Sequence, residues 1–359
     1  MRISEKVKNK KWQKRILELT SLAVLLTAGN LALRMLLVEH TYADDYKADL
    51  VQIAENGENP DLVFLGSSRS FHSFVPYVFE EAAGIGSAAP SGTDGAKCIA
   101  LNAGSALQTP EGSYYALKDL LDRGFSPRCV VLGVSYNLLT TQVWTQADLI
   151  IMDRLTPQNR AEYLEYAYEA ENKLYAESML YRYRTNFTLE RIRANLTEQK
   201  DRQLAASSGM PYVKDGEWYD GKGYVVNKNR LPEQIASGAV SEPEIDEFTL
   251  EAVREERLYY LDKLVGLCVK NGISLALVDT PTTAYMLDHV KSYEEANKWW
   301  EDYAAQYGIV YLNYNYIENK DELFPDELFM DYNHLNHEGA VKFSQLCAKD
   351  LKEKKLWVY

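Results

Sequence analysis

The sequence predicts an α/β protein: a three-layer α/β/α body on a five-stranded parallel sheet, preceded by a transmembrane helix and interrupted by a helical insertion. Three observations carry this. Five short apolar runs each suit a strand buried on both faces. Amphipathic helical patterns alternate with them. One uncharged stretch near the N-terminus separates a basic head from a large acidic body.

The head comes first. Residues 1–15 hold seven Lys or Arg against one Glu, whereas the 359-residue chain as a whole has a net charge of -13. Leu19 to Leu33 carries no charge. Taken from Ile16 to Val38, the segment makes a helix of about 35 Å, enough to cross a hydrocarbon core with some tilt. Arg34 sits near its end, where it can snorkel to the headgroups; at mid-membrane it would cost roughly 2.5–3.5 kcal/mol. The basic flank sets the N-terminus inside and the body outside, so the expected location is the cell membrane, single-pass, with the body extracytoplasmic. Two readings stay open. The preferred one is an uncleaved anchor, and the other is a signal peptide cut at the poor site Thr41-Tyr42-Ala43.

Residues 39–58 are polar and acidic and read as a stalk or lead-in helix, and residues 59–359 as the extracytoplasmic body. Within it the strands are Asp61–Gly66, Cys98–Gly104, Cys129–Val134, Ile273–Asp279 and Ile309–Tyr314. Helices follow at Tyr114–Arg123, Phe248–Lys270 with an Asn271-Gly272 stop, Glu294–Tyr307 and Glu338–Lys352. In such sheets a site lies at the carboxyl ends of the strands. Between the third and fourth strands the rhythm breaks. Residues 140–247 read as an insertion over one end of the sheet, first helical and rich in Tyr and Glu, then turns and a short hairpin. Asn186-Phe187-Thr188 and Asn195-Leu196-Thr197 fit the glycosylation pattern, a common chance triplet.

Composition excludes several classes. Forty-six per cent hydrophobic and 25% charged residues describe a globular chain. An acidic chain lacks the clustered cations that nucleic acid requires, so no nucleic-acid partner is expected. Four cysteines fit neither a disulfide scaffold nor a metal motif, and they read as buried thiols, with a Cys98–Cys129 bridge as the alternative. No cofactor and no metal are expected.

Two clusters carry chemistry. The first strand runs into Gly66-Ser67-Ser68-Arg69-Ser70, a small-residue turn before a helix, suited to mount a nucleophile or simply to cap a helix. Near the C-terminus stands Asp331-Tyr332-Asn333-His334-Leu335-Asn336-His337. A serine needs a base, and the base needs an orienting acid. Asp331 and His334 have spacing that folds a carboxylate back onto an imidazole. His337 reads as an exposed residue of the first helical turn, with a base or metal-ligand role as the alternative. Arg69 either binds an anionic group of the substrate or pairs with a carboxylate. Asp279, at the end of the fourth strand, reads as a turn cap. Tyr163, Tyr166, Tyr168 and Tyr175 fall in one helical run and read as packing residues. Stacking on sugar rings, with Trp144, Trp218, Trp299 and Trp300, is the alternative.

A strand ending in Gly-x-Ser, then Leu101-Asn102-Ala103-Gly104, then an Asn, then Asp331-x-x-His334 resembles the SGNH (GDSL-like) hydrolase superfamily over roughly 59–139 and 248–350. The Gly66-Ser67-Ser68-Arg69 variant behind an N-terminal anchor is most similar to a subgroup that includes alginate O-acetylation proteins and the D-alanyl transfer protein of teichoic-acid modification. The resemblance implies a flavodoxin-like fold and a serine esterase or O-acyltransferase acting on an exported cell-surface glycan or polymer. It implies Ser68 as nucleophile, His334 as base and Asp331 as orienter. It also implies an oxyanion hole from Ser68 and Gly104, with Asn137 as a third donor. The Asn block departs from the family's Gly-x-Asn-Asp, since this chain has Gly133-Val134-Ser135-Tyr136-Asn137. A multi-pass membrane protein as acyl donor is the partner this implies. The alternative is a non-catalytic glycan-binding or scaffold protein of a cell-envelope acylation complex.

Overall fold

A computed structural model of the chain describes residues 2–37, 41–83, 98–140, 145–167 and 188–357. Trp144, Tyr168, Tyr175 and the Asn186 triplet fall outside or run beyond the described residues. The chain divides into two units, residues 1–40 with 170–212 and residues 41–169 with 213–359.

In the first unit, α1 runs over Arg2–Leu37. Its stretch Trp12–Leu33 is long and apolar enough to cross a membrane, and none of it is buried within the protein. In the same unit a long helix at Leu189–Ser208 starts on the Thr188 hydroxyl, which accepts from the Arg191 N–H, and stops at Gly209 in the left-handed region. Asn195 is buried there and its Nδ2 donates to the Leu36 carbonyl at 3.0 Å. One of the two Nδ2 hydrogens is engaged there, and the side chain of the second triplet is buried rather than presented on the surface.

The second unit opens with α2 (Tyr42–Glu55), which buries Ala43, Tyr46, Leu50 and Ile53 at helical spacing. The expected stalk is therefore a lead-in helix packed into the body, because its apolar stripe has a core to meet. Then come β1 (Leu62–Leu65), α3 (Ser68–Ser73), α4 (Pro76–Ala82), β2 (Ala100–Asn102), α5 (Pro110–Asp122) and β3 (Cys129–Val134). The inserted region gives α6 (Thr145–Arg154), α7 (Pro157–Ala167), the helix already described, here α8, and an antiparallel hairpin of β4 (Glu217–Gly221) and β5 (Tyr224–Asn227). The alternation resumes with α9 (Glu255–Asn271), β6 (Ser274–Asp279), α10 (Tyr293–Tyr307), β7 (Val310–Asn313) and α11 (His337–Glu353).

Five strands form one parallel sheet in the order β2-β1-β3-β6-β7, with Leu62 opposite both Ala100 and Cys129. Alternation along each strand sorts the core into two layers. Val63, Leu65, Val130, Leu132, Leu275 and Leu277 pack with α2, α5, α9 and α10. Leu62, Phe64, Cys129, Val131, Ala276 and Val278 pack with α4, β5 and α11. This is the three-layer α/β/α fold. Its strand order reverses between β1 and β3, and there the crevice at the carboxyl ends takes ligands in such sheets. All four cysteines are buried and none forms a disulfide.

Candidate active site

The crevice follows directly from β1. Gly66 turns the chain at φ +125°, where a Cβ would stand 2.6 Å from the Gly133 carbonyl. Only glycine fits. Ser67 then caps α3 from extended backbone and Ser68 is its first residue. Ser68 is partly open to solvent while Arg69 and Ser70 behind it are buried.

The base arrives from the other end of the chain. Residues 329–335 form a closed loop, with Phe329 bridged to Leu335 and the Met330 N–H donating to the His334 carbonyl at 2.9 Å. Asp331 Oδ1 accepts the N–H groups of Asn333 at 2.7 Å and His334 at 2.8 Å. The same carboxylate meets His334 Nδ1 at 2.9 Å. His334 Nε2 lies 2.8 Å from Ser68 Oγ. With the Nδ1 proton directed to Asp331, Nε2 accepts the serine proton, which is the arrangement a general base requires. Burial pushes the Asp331 carboxyl up, but the neighbouring His334 and the two backbone N–H groups outweigh it and hold it below its ordinary value.

Several supporting residues escape sequence reasoning. Thr282 and Thr283, just past β6, donate their hydroxyls to the Tyr332 carbonyl at 3.0 and 2.7 Å. Asn336 ends the loop as the N-cap of α11, accepting from the Gly339 N–H at 3.1 Å while donating to the Glu327 carbonyl at 2.7 Å. Asn102, fully buried at the end of β2, donates to the carbonyls of Ser70 at 3.1 Å and Phe74 at 2.9 Å. It clamps α3 to the sheet. His72 lies beneath the base, its ring 5.8 Å from that of His334 and edge-on. Burial lowers its pKa to about 3, so it is neutral near pH 7.

For Arg69 the structure takes the second of the two expected readings, and for Asp279 and His337 it departs from the expectation. Arg69 is only 4% exposed, and its guanidinium donates to the Thr280 carbonyl and pairs with Asp279 Oδ1 at 2.9 Å. It is a buried ion pair rather than a group offered to substrate. Asp279 is its partner and also accepts from the Tyr293 hydroxyl at 2.8 Å, so it is more than a turn cap. His337 is half-buried, not exposed, and its Nδ1 meets the Tyr224 hydroxyl of the hairpin at 3.0 Å.

The oxyanion candidates divide. Gly104 packs on the nucleophile turn: a Cβ there would stand 3.1 Å from the Gly66 carbonyl and 3.3 Å from the Phe71 nitrogen. Its N–H donates to Asn102 Oδ1 at 3.1 Å in this resting form. Asn137, half-buried in the turn after β3, accepts from the Ser135 hydroxyl at 2.9 Å. Among the aromatic candidates, Trp300 is buried and donates to the Ser135 carbonyl at 3.2 Å, and Tyr163 is buried and donates to Asp148. Both are packing residues. Trp218 is half-buried in the hairpin, with Lys228 Nζ 5.0 Å from its ring centre.

A protein-family profile matches residues 241–356, which contain β6, β7 and the Asp331–His334 loop but not the nucleophile turn. The match covers less than half of the chain. None of the curated proteins matches it. Among solved structures, the chain is similar to one from Bacteroides fragilis described as a "putative acylhydrolase", at 11% identity and a TM-score of 0.33, covering 88% of this chain and 99% of that one.

Proposed function

We propose that this protein is a membrane-anchored serine esterase or O-acyltransferase that works through an acyl-enzyme on Ser68. The single observation that carries the reading is the unbroken relay from Ser68 Oγ to His334 Nε2 and from His334 Nδ1 to Asp331, at 2.8 and 2.9 Å. The resemblance of the motifs to the SGNH superfamily adds the substrate class, an ester on an exported cell-surface glycan or polymer.

In the reaction, His334 takes the Ser68 proton as Oγ attacks the ester carbonyl. The Ser68 N–H, at the first turn of α3, is a donor for the oxyanion. The Gly104 N–H is a second, provided the oxyanion competes with Asn102 Oδ1 for it. A donor lost from such a hole costs about 2.7–4 kcal/mol of barrier. His334 returns the proton to the leaving alkoxide, which leaves the acyl group on Ser68. Water or an acceptor hydroxyl, deprotonated by the same imidazole, then attacks the acyl-enzyme and restores the serine. Asp331 stays ionised throughout and stabilises the imidazolium. With an anchor at α1, a multi-pass membrane protein is the proposed source of acyl groups.

The test uses the full chain in detergent, with p-nitrophenyl acetate as substrate and a fluorophosphonate as label. Wild type should turn over the ester and label stoichiometrically, and Ser68→Ala should do neither. Equal, negligible activity and labelling in both would sink the reading and favour a non-catalytic binding or scaffold role.

A further inference from the structure

We propose that Arg154, from the inserted α6, is a positioning residue that sets the oxyanion-hole peptide at Gly104. The inference rests on the serine-hydrolase reading above.

Arg154 is only 5% exposed, yet it belongs to no described ion pair. A buried cation with no carboxylate partner among the described residues is costly, and the compensation shown comes from backbone. Its Nη1 donates to two consecutive carbonyls, Ala103 at 3.3 Å and Gly104 at 2.7 Å. The guanidinium also lies over the Tyr46 ring of α2, 4.7 Å from its centre. These two carbonyls belong to the peptides on either side of Gly104.

In a trans peptide the carbonyl and the N–H point in opposite directions. Fixing the Ala103 carbonyl therefore fixes the Gly104 N–H, and fixing the Gly104 carbonyl fixes the Ser105 N–H. The second consequence is visible: the Ser105 N–H donates to the Gly66 carbonyl at 3.1 Å, tying the turn after β2 to the nucleophile turn. The first leaves the Gly104 N–H on the side away from Arg154, where it meets Asn102 Oδ1. The cation also polarises the Ala103–Gly104 peptide, which strengthens that N–H as a donor. Held in this way the N–H is oriented in advance, and only its bond to Asn102 Oδ1 must be exchanged when charge develops on the substrate oxygen. The insertion, outside the resemblance, thus supplies a part of the machinery.

A merely structural arginine would affect folding and substrate binding as readily as turnover. The test is steady-state hydrolysis of p-nitrophenyl acetate by the full chain in detergent, comparing wild type, Arg154→Met and Arg154→Lys. A phenylboronic acid serves as a tetrahedral anionic mimic. Arg154→Met should lower kcat by 10²–10³-fold with KM within about twofold, in line with the loss of one oxyanion donor. Boronate affinity should weaken in parallel. Arg154→Lys, which keeps the charge but gathers one carbonyl, should fall between the two, and guanidinium ion should restore part of the Met variant's rate. Wild-type kcat in a folded Arg154→Met, or a rise in KM alone, overturns the inference. If Arg154→Met does not fold, Arg154→Lys decides, and a kcat within threefold of wild type overturns it. Failure of both variants to fold makes Arg154 a folding residue and overturns it too. Failure of wild type to label with fluorophosphonate sinks the hydrolase reading itself, whereas labelling with unaffected Arg154 variants sinks only this inference.

Discussion

The two halves of the candidate relay are held in contrasting ways. Ser68 is carried by covalent continuity from a strand buried on both faces, and everything behind it is buried: Arg69 on Asp279, Asn102 on the α3 carbonyls. His334 and Asp331 have partly exposed side chains on a loop whose ends, Phe329 and Leu335, are buried in the core and whose middle is held by hydrogen bonds from Thr282 and Thr283 to the Tyr332 carbonyl. The nucleophile side is thus fixed by structures whose loss would threaten the fold. On the base side the loop's ends are core packing, and only the stretch between them rests on hydrogen bonds each worth about 0.5–1.5 kcal/mol, so geometry in that stretch is adjustable at small cost to stability.

This contrast can be broken most severely at the relay itself. Ser68→Ala and His334→Ala should each lower kcat for an ester by about 10⁴–10⁶-fold, and Asp331→Asn by about 10⁴-fold, with urea midpoints close to wild type. A large loss of stability in these variants would show that the base side is structural after all. Next in size is Arg69→Met, which strands the buried Asp279 and should cost about 3–5 kcal/mol in urea unfolding. Adding Asp279→Asn should recover part of this, since neither charge is then left unpaired.

The third effect is on pH dependence. His72 is held neutral in the folded chain, with its pKa lowered to about 3 by burial, whereas the unfolded chain takes up its proton near pH 6.5. The unfolded state therefore binds more protons in between. Its contribution is intact above pH 6.5 and is lost as pH falls towards 3, at about 1.4 kcal/mol per pH unit. Asp331, depressed in the folded chain, adds its own loss only below about pH 4. Unfolding measured between pH 4 and 6.5 should thus be steeper in wild type than in His72→Leu, and equal slopes would refute the buried neutral imidazole. Smallest is Thr282→Val with Thr283→Val, expected to shift stability by about 1–3 kcal/mol while lowering kcat about tenfold. A rate loss no larger than that in a control surface variant would remove the loop-tether argument.

Much of this was legible in the sequence, for local reasons. Each sheet strand is a run whose two faces are both apolar, and the turn after β1 advertises itself by its glycine and serines. Asp331 and His334 are three residues apart, so their approach is a local property. Their meeting with Ser68, 266 positions away, followed from the rule that strand carboxyl ends share one edge. Other features are invisible locally. Arg69 finds Asp279 across 210 positions, and an arginine beside a serine reads equally well as substrate-facing until its partner is seen. Asn102 looks like part of a glycine-turn motif, yet its importance lies in carbonyls of α3. Arg154 lies in a region read only as an insertion, and nothing in its neighbours announces that it reaches Ala103 and Gly104. Residues 39–58 look polar because the four buried positions of α2 are spread among charges.

The four thiols give the fold a hidden liability. Burial pushes Cys129 and Cys268 up to about 12 and Cys347 higher still, so in the native chain they neither ionise nor react. Opening the sheet core frees all of them at once, in pairs the native chain never joins. Heating in air should therefore trap the chain in scrambled crosslinks, and recovery on cooling should depend on a reductant being present.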